Sequence, residues 1–129
     1  MKRFTLSKQE RLSSKKDIDF LFAEGQSLTK YPIRLVWRET VLIPEESSVR
    51  AMFSVSKKKF PRAVDRNRAK RLMKESYRLI KPDLLTDIPQ QKSYHLAFMY
   101  TGSELLDFVV IQKSIAIALE RWTKKCQQE

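Results

Sequence analysis

One cysteine, one histidine and two glycines are all that this chain of 129 residues holds of three residue types on which much protein chemistry is built. Cys126 alone can form neither an intrachain disulfide nor a cysteine zinc cluster, and it reads as an incidental free thiol in a polar C-terminal tail. Gly25 and Gly102 stand too far apart for a glycine-rich phosphate loop. His95 lies in an apolar run and reads as a packed residue rather than a proton shuttle. The carboxylates Asp17, Asp19, Glu24, Asp83, Asp87, Glu104 and Asp107 follow no motif spacing that would gather them around a metal. No apolar run approaches the roughly 20 residues of a membrane span, and the N-terminus lacks the apolar segment of about 7–15 residues that marks a signal peptide. The expectation is a cytoplasmic protein with no catalytic residues of its own, no metal held by the protein, no membrane partner and no evident protein partner.

What the chain has in excess is positive charge. Lys and Arg number 26 against 15 acids, a formal charge of +11, on a background of 42% hydrophobic and 10% aromatic residues that is globular rather than disordered. Length favours a single domain over 1–129, with a basic flexible N-terminus at about 1–12 and a polar tail at about 124–129. A folded domain with such an excess repels itself unless a polyanion neutralises it, so nucleic acid or the ribosome is the expected partner.

Hydrophobic spacing gives the order of elements. Ile18, Leu21 and Phe22 recur at helical steps and Gly25 offers a C-cap. From Tyr31 to Trp37 and from Val49 to Val55 apolar residues alternate with a period of two, and the loop at 44–48 between them suggests an antiparallel hairpin. The basic stretch that follows should stop at Lys81, before Pro82, and give way to a polar connection through Pro89–Lys92. Tyr94 to Tyr100 is apolar on both faces, as an inner strand would be. Ser103 can N-cap a last helix with Glu104 in its first turn and Phe108, Ile111, Ile115, Ala118 and Trp122 along one side. The resulting order, α-β-β-α-β-α, predicts an α/β (α+β) two-layer sandwich.

The charge is concentrated in one place. Lys57 to Lys81 holds six Lys and five Arg against Asp65 and Glu75, so +9 of the chain's +11 sits in this stretch. With Asp65 as N-cap and about 100° of rotation per residue, Asn67, Lys70, Arg71, Lys74, Arg78 and Lys81 fall within roughly 40° of one line. Ala69, Leu72, Met73, Ser76, Leu79 and Ile80 cluster on the opposite side. Arg66 and Arg68 flank the stripe near the helix start, where backbone amides favour phosphate as well. A merely solvated helix face mixes signs, whereas here like charges repeat at four-residue spacing, a cost that a polyanion would reverse.

Phe53-Ser54-Val55-Ser56-Lys57-Lys58, then Ala63-Val64, then Arg66-Asn67-Arg68-Ala69-Lys70-Arg71-Leu72 with Glu75 and Arg78 resemble the signature of the bacterial ribonuclease P protein component family. The likeness spans about positions 4 to 81. It implies a left-handed β-α-β crossover, in a fold shared with a ribosomal protein domain, where periodicity alone would favour the right-handed one. It also implies that the protein binds the catalytic RNA of a holoenzyme and the 5′ leader of precursor tRNA, while the RNA with bound Mg2+ cuts the phosphodiester. Carried over, Arg66, Asn67, Arg68, Lys70 and Arg71 would contact the catalytic RNA, together with Lys57, Lys58, Lys59, Arg62, Lys74 and Arg78. The leader cleft would lie between the first helix and the sheet, with Arg11, Ile18, Phe22, Tyr31 and Trp37 as its candidates. Ile18 departs from the family's aromatic and offers no ring face to a base, and Phe20 is turned away from Phe22 by about 160°. Phe60-Pro61-Arg62 stands where the family has a glycine-bearing turn, which adds a basic contact. A ribosomal or ribosome-assembly protein is the competing reading of the same basic helix; a duplex-DNA regulator would need base-reading Asn or Gln and a dimer interface.

Overall fold

Strand-period alternation at Ile33, Leu35 and Trp37, at Val49, Ala51, Phe53 and Val55, and at Tyr94, Leu96, Phe98 and Tyr100 puts one buried side chain of each pair on a common face. The computed structural model, which describes residues 11–40, 49–84 and 93–128, assembles them into a four-stranded mixed sheet. The elements run α1 (Lys15–Glu24), β1 (Gln26–Lys30), β2 (Ile33–Thr40), β3 (Val49–Val55), α2 (Ala63–Leu84), β4 (Ser93–Tyr100) and α3 (Phe108–Gln128). The loop expected at 44–48 and the connection at 89–92 lie outside the described residues.

The spatial order is β1-β2-β4-β3, which corrects the expected hairpin. β2 pairs antiparallel with β1 and with β4, while β3 pairs in parallel with β4. The physical reason is that β4, apolar on both faces, gains most from the centre of the sheet and enters between the two strands that sequence proximity would have paired. α2 is therefore the crossover between two neighbouring parallel strands. β1 was not foreseen, because a polar five-residue edge strand carries no apolar alternation; it is set by its register with β2, from Gln26 opposite Trp37 to Lys30 opposite Ile33.

Helices α2 and α3 cover one face of the sheet. Met73, Tyr77, Ile111, Ile115, Leu119 and Trp122 are fully buried there, and each such side chain contributes about 2–3 kcal/mol. Tyr77 meets Phe53 and Phe98 at ring-centroid distances of 5.8 and 5.3 Å, and Tyr94 meets Trp122 edge-on at 5.2 Å. The polar tail expected from 124 is corrected: Cys126 falls four residues after Trp122, shares its buried stripe, and so carries α3 through to Gln128. It is a buried small hydrophobe. α3 begins at Phe108 rather than at Ser103, with the Ile111 N–H donating to the Asp107 carbonyl.

Among the described residues the other face carries α1 alone. Ser14 caps the helix by accepting from the Asp17 N–H at 3.4 Å, and Leu21, Leu12, Val36 and Ala97 form a second, smaller cluster with Ile18, Met52 and Met99 packed against it. Leu12 is buried and Arg11 bridges Ala51 beside β3, so at these two positions, within the N-terminal stretch expected to be flexible, the chain is held to the sheet. Gly25 closes α1 through its N–H to the Leu21 carbonyl. Its backbone is extended, so the need for glycine here is space: a Cβ would stand 2.4 Å from the Leu21 oxygen and 2.9 Å from the Trp37 oxygen. Gly25→Ala should cost about 1–3 kcal/mol by lifting α1 from the sheet, measured by urea denaturation; an unchanged midpoint would contradict this account.

Candidate nucleic-acid interface

α2 starts at Ala63, two residues before the expected cap, and the Arg66 N–H donates to the Arg62 carbonyl at 3.2 Å. Asp65 therefore sits in the first turn, where a carboxylate still complements the positive end of the helix. The helix also runs through Pro82 to Leu84; the missing proline N–H removes one rung of the ladder, a loss confined to the last turn. The buried face is Ala69, Met73, Ser76 and Tyr77, with Leu72 and Ile80 partly buried. Leu79, expected inside, is exposed. Tyr77, overlooked in a run of cations, takes its place because it follows Met73 by four residues. Ser76 satisfies its hydroxyl on the Leu72 carbonyl at 2.8 Å.

Opposite that face the structure keeps the polar stripe together. Asn67, Arg68, Arg71 and Lys74 are exposed, Lys70 and Arg78 half-exposed; the side chain of Lys81 lies outside the described residues. Both acids in the stretch are taken up by arginine: Glu75 pairs with Arg78 through two contacts, and Asp65 stands 4.0 Å from Arg62. Among the described residues this leaves Arg68, Lys70, Arg71 and Lys74 as a row of cations with no acid paired to them. In front of the helix, Lys57, Lys58 and Lys59 sit on an exposed turn braced by Ser56, whose hydroxyl accepts from the Lys58 N–H at 3.2 Å. Lys59 donates to the Thr101 carbonyl.

Arg66 corrects an expectation of free exposure. Its Nη1 donates to the carbonyls of Phe60 and Pro61 at 2.9 and 2.8 Å, while the Phe60 ring is buried against Tyr100 at 5.7 Å. Arg66 thus ties the lysine turn to the first turn of α2, and leaves Arg68 as the exposed arginine of the pair.

The candidates for the cleft between α1 and the sheet separate. Ile18 packs in the small cluster with Met99, and Phe22, on the same side of α1, is 43% exposed. The cross-strand row Arg34–Met99–Ser54 continues this surface toward Val55 and the lysine turn. Arg34 and Met99 were missed, although alternation with buried Ile33, Leu35, Phe98 and Tyr100 assigns them to this face. Arg11 lies exposed at the outer edge of β3. Phe20 projects to the other side of α1, with the Arg38 guanidinium 4.4 Å from its ring centre. Trp37 is only 5% exposed, in the main core on the opposite face of the sheet, with the Lys125 ammonium 5.4 Å from its ring; it cannot line this cleft. Tyr31 lies beyond the sheet end, against Gly102. It neighbours Tyr100, whose phenol is raised above its usual range by burial, drawn back by the Leu106 N–H, and raised again by Tyr31. His95 is placed on β4 between Arg38 and Arg50.

These placements distinguish two arginines that look alike in sequence. Arg66→Ala should lower folding stability by about 1–2 kcal/mol, since two carbonyls lose a charged donor. Arg68→Ala should change it by less than about 0.5 kcal/mol. Equal unfolding midpoints in urea for the two variants would contradict the assignment.

Comparison with known proteins gives the same answer over almost the whole chain. The family model described as Ribonuclease P matches residues 6–123. A ribonuclease P protein component from Porphyromonas gingivalis is 41% identical over 122 residues, covering 92% of this chain and 86% of the relative. Among solved structures, the ribonuclease P protein from Thermotoga maritima superposes with a TM-score of 0.67 at 26% identity, covering 87% of this chain and 96% of that one. The Staphylococcus aureus ribonuclease P protein shares the fold, with a TM-score of 0.67 at 20% identity over 88% of this chain and 94% of its own. The ribosomal reading of the basic helix is not favoured by these matches, and the chain belongs to the ribonuclease P protein component family.

Proposed function

We propose that the outward stripe of α2, with Lys70, Arg71 and Lys74 at its centre and Arg68 on its flank, binds the catalytic RNA of ribonuclease P, and that the surface between α1 and the Arg34–Met99–Ser54 row receives the 5′ leader of precursor tRNA. As a member of its family the chain is a subunit of an endoribonuclease holoenzyme that serves tRNA 5′ processing. The observation that carries the assignment of surfaces is the segregation on α2: a buried, largely apolar face behind a set of cations with no acid paired to them among the described residues. Arginine forks on that row suit phosphate oxygens, and lysines add charge that a folded RNA would neutralise by releasing its counterions.

Lys57, Lys58 and Lys59 extend the cationic surface in front of α2, and Arg62 adds to it while shared with Asp65. Arg66 acts in this reading by holding that turn in place, and Asn67 presents an amide beside it. In the cleft, Phe22 supplies the ring face for a leader base and Ile18 with Met99 an apolar floor; Arg34 stands at the edge for a leader phosphate. Protein and RNA then meet on two surfaces of one domain spanning the chain. Among the described residues no three of His, Cys, Asp and Glu come together as a metal-holding group. Magnesium in this reading belongs to the RNA, and no step is routed through the protein. No described helix is long and apolar enough to cross a membrane, and the proposed site of action is the cytoplasm.

Reconstitution tests this. Added to a bacterial ribonuclease P RNA at low magnesium, the protein should restore cleavage of precursor tRNA at the mature 5′ end. RNA cleavage that is unchanged by the protein across a range of magnesium concentrations would overturn the reading.

A further inference from the structure

Tyr31 is more exposed, at 61%, than either Phe20 or Phe22, yet the backbone beneath it is held from two directions. The Tyr31 carbonyl accepts from the Ser114 hydroxyl at 3.0 Å. The next carbonyl, of Pro32, accepts from the Thr101 N–H at 2.7 Å and from the Thr101 hydroxyl at 3.0 Å. The phenol end of the side chain reaches Gly102, its oxygen 3.1 Å from where a Cβ on that glycine would stand. None of the anchoring bonds uses the ring, so the ring is positioned by the fold without being consumed by it.

The neighbouring residue supplies the second half of a site. Thr101, one position before Gly102, receives through its carbonyl the ammonium of Lys59, and an ammonium with one proton so engaged keeps two further donors. The exposed Tyr31 side chain and the Lys59 cation are thereby placed against adjacent residues of one segment, Gly102 and Thr101. Lys59 also ends the lysine turn that leads through Phe60 and Arg66 into the stripe of α2, so this pair continues the cationic surface. A ring for a base with a cation for the adjoining phosphate is the arrangement by which single-stranded nucleic acid is held.

We propose that Tyr31 is a stacking platform for one unpaired nucleotide of the same catalytic RNA that α2 binds, with Lys59 on the flanking phosphate. This rests on the proposed RNA-binding role of α2, and the test separates the two. Full-length protein is titrated with the catalytic RNA alone, at moderate salt and without precursor tRNA. Tyr31→Ala should weaken binding about tenfold, and Tyr31→Phe, which keeps the ring, should stay within about twofold of the unaltered protein. Tyr31→Trp places an exposed indole beside two native tryptophans, Trp37 and Trp122, that are buried, so its emission should be quenched at RNA saturation.

Binding by Tyr31→Ala within about twofold of the unaltered protein would overturn the proposal. So would a loss in Tyr31→Phe as large as in Tyr31→Ala, an effect seen only once precursor tRNA is added, or Tyr31→Trp emission that RNA leaves unchanged. Failure of the unaltered protein to bind the catalytic RNA would instead remove the α2 reading, and this inference with it.

Discussion

The contact between α2 and the sheet governs what this protein can do. Ala69, Met73, Ser76 and Tyr77 are buried, packed against β3 and α3, and because a helix turns by about 100° per residue, sealing that side turns Lys70, Arg71 and Lys74 outward together, with Arg68 on their flank. Tyr77 matters most in this contact, since its ring touches both Phe53 on β3 and Phe98 on β4 and so fixes the rotation of the helix about its own axis. Apolar burial of a few side chains, worth several kcal/mol in sum, exceeds the repulsion between cations four residues apart, which costs a few tenths of a kcal/mol per pair. The charged row can therefore persist in the free protein and need not be assembled by its partner.

The parallel pairing of β3 with β4 adds to this. It forces the chain between them to cross over as α2, and it brings the end of β3, with its lysine turn, beside the end of β4 and the Thr101–Gly102 segment. Arg66 then converts a loop into a fixed approach to the helix by holding two of its carbonyls. Among the described residues the opposite face of the sheet is covered by a short helix, whose Ile18 packs with Met99 of the Arg34–Met99–Ser54 row. One topology thus yields two separate surfaces, a cationic ridge and a shallow apolar-edged cleft.

Much of this was legible in the residues. The amphipathic split of α2, the alternation of three strands and the stripe of α3 all follow from local periodicity. What was not legible depended on long-range choices. The β2–β3 hairpin failed because the better partner for both strands, β4, lies about 40 residues further along the chain. β1 was silent because an exposed edge carries no apolar code. Tyr77 was hidden by its charged neighbours, and Cys126 by the polar residues around it, although each falls at a four-residue step from a core residue. Trp37 admits both a core and a cleft reading in sequence, and its alternation with Ile33 and Leu35 decides for the main core, where it lies 5% exposed.

The claim that a single helix face carries the RNA backbone is open to one direct measurement, the salt dependence of binding to the catalytic RNA. Each phosphate contact contributes about 0.7–0.9 to the slope of log affinity against log salt. Replacing Lys70 and Lys74 together by alanine should lower that slope by about 1.4–1.8 while leaving the melting temperature unchanged. A slope equal to that of the unaltered protein, with the fold intact, would contradict the account.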